Sequence, residues 1–207
     1  MSEQPNNSAA APDPMEKVKS ASRDAVKTFI SLIYNPVGAL PGAYQALPGQ
    51  QALVVGLVFM GVWLLCSLIG GALGVSALGL PFSFSLDSLS LSYKLRGAIM
   101  LLSIPLGLTL GVYLARIVLR GNGDIALDVF VAGAALLMVG FAALLGGLLG
   151  HQVLQLLMLV ALTLAVLVIY TSLTRISGIA EGIAAYLVAG VFVIAAIVLR
   201  VVTAILF

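Results

Sequence analysis

Charge is scarce in this chain. Ten Lys and Arg against eight Asp and Glu leave 9% of the 207 residues charged and a net charge of +2. The basic residues are dispersed rather than stacked, which excludes a dedicated nucleic-acid footprint. Cysteine is reduced to one residue, Cys66, so no intrachain disulfide can form, and in its apolar surroundings it reads as a small packed hydrophobe. The sequence has no Gly-rich phosphate loop, no Ser-His-Asp set, no Cys/His cluster and no carboxylate pair deep inside an apolar run. An enzymatic reading therefore has no residues to which its steps can be assigned, and neither cofactor nor metal is expected. His151 stands alone with Gln152 and Gln155 as neighbours, which is not a ligand set.

What is abundant is apolar surface. The chain is 61% hydrophobic with a mean hydropathy of +1.17, more than water tolerates on a monomer's exterior. Five stretches, at about 51–76, 97–119, 127–149, 152–173 and 180–206, each approach the roughly 20 apolar residues that match about 30 Å of hydrocarbon. Almost every charge lies between them. The expected fold is all-α: a polytopic bundle of five transmembrane helices over residues 51–207.

The segment before the bundle divides into three. Residues 1–14 are polar, small and proline-containing, with too little apolar surface to offset the entropy of ordering, and are expected to be disordered. No apolar run follows closely enough for a secretory signal. Residues 15–34 show helical periodicity: Met15, Val18, Ala21, Ser22, Ala25, Val26, Phe29, Ile30 and Ile33 recur on one side, with Lys17, Lys19, Arg23, Asp24 and Lys27 mostly elsewhere. Asp13, Pro14 and Glu16 signal its start, and Asn35-Pro36 its end. A helix with that basic face is expected to lie in the membrane interface, drawn to anionic headgroups; a helix folded against the protein's own loops is the plainer alternative. Residues 35–50, NPVGALPGAYQALPGQ, are broken by Pro36, Pro41 and Pro48 and suit a re-entrant or surface connector. Residues 81–96, PFSFSLDSLSLSYKLR, alternate apolar and serine residues and suit a short strand or a segment along the headgroups.

Orientation follows from the basic residues, which are retained in the cytoplasm. An internal N-terminus collects Lys17, Lys19, Arg23, Lys27, Arg116, Arg120 and Arg175 inside, against Lys94, Arg96 and Arg200 outside. The plasma membrane of a bacterium is the expected location.

The order of elements resembles the YIP family, the Yip-one domain proteins. YNPVGALPGAYQAL at 34–47 and LVIYTSLTRISGIAEGIAAYLVAGVF at 167–192 are similar to its prokaryotic members. The aspartate-leucine-tyrosine-glycine signature of eukaryotic members is absent, so binding of prenylated small GTPases is not carried over. The resemblance implies a membrane-embedded interaction or organising protein, often oligomeric, without established catalytic residues. Expected partners are the lipid bilayer, its anionic headgroups, and other membrane proteins or a second copy.

Three groups of residues invite a functional reading. Asp124 and Asp128, one turn apart at the start of the third span, face Arg116 and Arg120 across a short turn; they read as helix caps paired with those arginines. Glu181 with Arg175 reads as charge neutralisation at the interface. Gly70 and Gly74, Gly107 and Gly111, and Gly146 and Gly150 form GxxxG pairs, which let helix backbones approach closely in lipid; packing within one chain is favoured over packing between chains. Pro105 is expected to kink the second span. The rival to an organising role is a small transporter with a pathway near Arg116, Asp128 and the Pro105 kink. A polar cavity at mid-bilayer depth is the feature that separates the two.

Overall fold

The computed structural model describes residues 26–28, 30–32, 34–47, 49–72 and 91–206. The N-terminal arm, Lys17, Lys19, Arg23 and Phe29, Gly74 and the connector at 73–90 lie outside the described residues, as does the side chain of His151. Among the described residues all regular structure is helical. After a helical stretch within 26–34 come α1 (Ala39–Gln45), α2 (Gln50–Ala72), α3 (Leu91–Val118), α4 (Ile125–Leu149), α5 (His151–Thr171), a π-helical turn (Ser172–Ile176) and α6 (Glu181–Leu206). Five of these, α2 to α6, are long and apolar enough to cross a membrane.

The spans begin and end within a few residues of the expected limits, with one informative exception. Leu91–Arg96, expected as strand or headgroup-lying chain, is the first part of α3. Helix extends past the apolar run because an arginine such as Arg96 has a long stem that can carry its charge out of hydrocarbon while its backbone stays hydrogen-bonded. α3 is continuous through Pro105, which is buried and offers no N–H to the carbonyl of Leu101.

α4 is the hub: it is buried along most of its length, whereas in α6 only Ala184, Val188 and Val191 are buried. Its most extensive partner is α2, and the two run parallel. Close approach comes from glycines seven residues apart. A Cβ on Gly56 would lie 2.7 Å from the Phe130 Cα, one on Gly140 2.9 Å from the Trp63 Cα, and one on Gly147 2.9 Å from the Gly70 Cα. That period of seven keeps one seam of two supercoiling helices in register. α3 and α6 form a second, antiparallel pair, in which Gly107 meets Ala195 and Gly111 meets Val191. α5 folds back on α4 through the tight turn at Gly150, whose φ of 100° demands glycine. Gly146 and Gly150 are thus parts of a hairpin, with Gly146 against Leu154, rather than one packing face.

One end of the bundle carries the starts of α2, α4 and α6 and the ends of α3 and α5; it is called the near end below. There the helical residues before Asn35 turn Thr28 and Leu32 into the bundle and leave Val26, Lys27 and Ile30 exposed. Leu32 lay off the apolar set read from periodicity. Asn35 ends that stretch, its side-chain oxygen accepting from the Gly38 N–H at 2.8 Å, and its carbonyl accepts from Ala39 at 2.9 Å. The connector that follows holds α1, with Pro41 in the first turn where its missing N–H costs nothing, packed over the π-helical turn and α5.

Candidate functional site

The near end is where the charged groups converge. α3 closes with a Schellman motif: Gly121 N–H donates to the Arg116 carbonyl at 2.9 Å and Arg120 N–H to Ile117 at 3.0 Å. Arg120 takes the left-handed position, φ 52°, that glycine usually fills, and its side chain is exposed. The tight turn brings the last turn of α3 against the first of α4.

Arg116 and Asp128 meet there as a buried, two-pronged ion pair. Arg116 Nε donates to Asp128 Oδ1 at 3.0 Å and Nη2 to Oδ2 at 2.7 Å, while Nη1 donates to the Gly123 carbonyl at 2.9 Å. The aspartate side chain is fully buried and the arginine's is 9% exposed. The guanidinium also lies 5.7 Å from the centre of the Tyr113 ring. Each charge sits where the helix dipole favours it, the cation at a C-terminus and the anion at an N-terminus. Asp128 therefore makes the expected ion pair with Arg116, and makes it fully buried.

Asp124 is the cap, but among the described residues no arginine forms an ion pair with it. Its Oδ1 accepts the Leu127 N–H at 3.0 Å and the Tyr44 hydroxyl at 3.2 Å. Tyr44 belongs to α1 and packs its ring 6.1 Å from that of Phe130, so the short helix is fixed to α4 by one polar and one aromatic contact. Partial burial, with the Asp124 charge and hydrogen bond adding to it, pushes the Tyr44 phenol above its usual value near 10. The same end is tied once more by Asn122 N–H donating to the Ser177 carbonyl at 2.9 Å, with Ser177 Cβ and the Gly121 position in close approach. Gly178, φ 72°, makes the bend into α6.

Arg175 and Glu181, grouped from sequence, are both exposed, and no ion pair joins them among the described residues. Glu181 instead sits in the first turn of α6, where a carboxylate suits the dipole. The glycine seam of Gly133, Gly140 and Gly147 has a seven-residue period, present in the sequence, that GxxxG spacing does not capture. Nothing local marked Tyr44 or the π-helical turn.

About ten residues deeper lies a cavity of about 280 Å³. Trp63, Ile104, Leu108, Leu136, Leu162 and Phe192 are among its lining residues, all apolar in body, and all five spans contribute. It follows the seam between the α2–α4–α5 group and the α3–α6 pair, where α5 and α6 touch only sparsely.

This architecture defines the class: an integral membrane protein built as a five-span helical bundle. Comparison with family models, with curated proteins and with solved structures found no match to the chain.

Proposed function

We propose that the protein is a non-enzymatic membrane organiser of the YIP type, presenting its near end to the cytoplasm of a bacterium. The observation that carries this reading is the way the near end is built. Its buried charges are spent on one another and on backbone groups, and α1 is clamped across it, which makes a rigid platform rather than a reactive or gated one. Lys27, Arg116, Arg120 and Arg175 lie at that end, against Arg96 and Arg200 at the other, which supports a cytoplasmic near end. Exposed Val26, Lys27 and Ile30 continue the amphipathic helix into the platform's edge, where apolar and basic groups together suit anionic lipid.

The transporter reading has less support. Arg116 and Asp128, its pathway residues, bond each other, and the space at mid-bilayer depth is lined by hydrocarbon rather than by polar groups.

The test compares the full chain with a form lacking residues 1–25, a cut that spares Thr28 and Leu32, in vesicles with and without anionic phosphatidylglycerol. A label at residue 22, in a form with Cys66 replaced, is expected to move into the headgroup region only with anionic lipid. Co-isolation of membrane partners is expected to fall in the shortened form while the five spans still insert. A label that stays in water on anionic vesicles, together with unchanged co-isolation, sinks the proposal; solute flux that responds to Asp128→Asn replaces it with the transporter.

A further inference from the structure

Arg200 lies inside the apolar length of α6, six residues before its end at Leu206, and its side chain is exposed on the side away from the buried Ala184 and Val191. Its depth follows from the α3–α6 pair, in which Thr203 meets Met100. Arg96 stands one turn beyond Met100 toward the far end, so at about 1.5 Å per residue Arg200 sits roughly 10 Å deeper than Arg96. Helical side chains lean toward their own N-terminus, which for α6 is the near end, so the Arg200 stem sets out toward the bilayer centre and loses reach to the headgroups. Among the described residues nothing forms an ion pair or hydrogen bond with its guanidinium. A cation left unpaired in hydrocarbon is costly, so an anion has to come to it.

The mid-depth cavity opens beneath this arginine. Leu199, the preceding residue, lines the cavity, and so does the exposed Ala196, one turn deeper on the same side as Arg200. With Leu162 of α5, which is 41% exposed, Ala196 borders a mouth between two helices that touch only sparsely. From Leu199 to Phe192 the cavity follows α6 for about 10 Å toward the bilayer centre. An unmet cation with an apolar slot leading inward below it calls for one molecule in which an anionic group is joined to a hydrocarbon chain. A neutral ligand would leave Arg200 unpaired. A carboxylate on a partner's helix would reach Arg200, but a helix about 10 Å wide does not enter the slot. A second copy, related by a two-fold axis along the bilayer normal, would set Arg200 against Arg200.

We propose that Arg200 and the cavity form a binding site for one phospholipid of the leaflet at the far end, with the phosphate on the Arg200 guanidinium and one acyl chain in the slot between α5 and α6. The order of parts matches, because a lipid's tails run from its phosphate toward the bilayer centre. The volume, about 280 Å³, is small for a ligand site and suits a single chain; the headgroup and the other chain stay in the bilayer. Guanidinium and phosphate match in geometry as well as charge, since two N–H groups meet two oxygens. The site lies away from the near-end platform and does not rest on that reading.

The experiment uses the full chain in dodecyl maltoside micelles and reads the fluorescence of Trp63, the single tryptophan, which is 1% exposed and forms part of the cavity wall. The probe is phosphatidylglycerol brominated midway along its acyl chains; diacylglycerol with the same chains, lacking the phosphate, is the comparison. Quenching by the phospholipid is expected to saturate near one lipid per chain, and quenching by the diacylglycerol to rise only linearly. Arg200→Gln is expected to weaken the phospholipid about tenfold, the low end for hydrogen bonds to a charged group, and Arg200→Lys to lose less. Ala165→Leu, which fills the slot, is expected to abolish saturable quenching; Ala196→Leu at the mouth serves the same purpose if the first variant does not fold. Equal quenching by the two lipids overturns the proposal, as does indifference to Arg200→Gln or to filling the slot. Dibromostearate that saturates as tightly as the phospholipid overturns it too, since the occupant would then be a free fatty acid.

Discussion

The seam between α3 and α4 is closed at the near end and open ten residues further in. At the near end, Arg116 and Asp128 fill it with a two-pronged ion pair; at mid-depth, Ile104 and Leu108 face Leu136 and Val139 across a cavity. The difference follows from what lipid can supply. Hydrocarbon solvates an apolar gap at little cost, because tails or apolar ligands enter it. It offers nothing to an unpaired charge or a bare peptide group, so polar atoms in the same seam must find partners within the protein.

The sharpest way to break that contrast is to remove one charge. Asp128→Ala strands the Arg116 guanidinium inside the bundle and is expected to cost about 3 to 5 kcal/mol, read as a loss of resistance to SDS unfolding in mixed micelles. Replacing both residues with leucine is expected to recover most of that loss, since the penalty belongs to the unpaired ion. Backbone contact comes next: Gly133→Leu pushes a side chain into Gly56 and is expected to cost about 3 kcal/mol by forcing α2 off α4. At the open part of the seam the sign reverses. Ala165→Leu, beside the cavity, is expected to raise stability by about 0.5 to 1 kcal/mol in the same assay.

The smallest effect concerns α1. Tyr44→Phe removes the hydroxyl that reaches Asp124 and is expected to speed proteolysis within residues 35–49 while leaving the spans intact. It also carries a pH signature. The folded phenol titrates above its unfolded value near 10, so its contribution is complete below that pH and is lost as pH rises through the folded value. Wild type is expected to lose α1 protection more steeply than Tyr44→Phe above about pH 10; parallel profiles would remove Tyr44 from the account.

Much of the fold was legible in the chain because lipid imposes a length on every span, and the apolar runs recorded it. The cap at Asp124 was legible for a similar reason, since an Asp opening an apolar run after Gly-Asn-Gly has few other roles. The pairing of Asp128 with Arg116 was legible from their places on either side of the short turn, but its burial was not, because sequence gives distance along the chain and not depth. Arg175 and Glu181 were grouped by proximity alone; Arg175 lies in the π-helical turn and Glu181 in the first turn of α6, and both are exposed. Tyr44 was passed over because its partners, Asp124 and Phe130, lie eighty or more residues away along the chain.

By itself, then, the sequence determined the solvent, the number of spans and the confinement of most charge to their ends, because transfer free energies act residue by residue. Tertiary structure alone decided which helices pair, which carboxylate is buried and where an apolar cavity is left among the spans. Those outcomes depend on which side chains meet across helices, and that geometry comes into being only when the bundle closes.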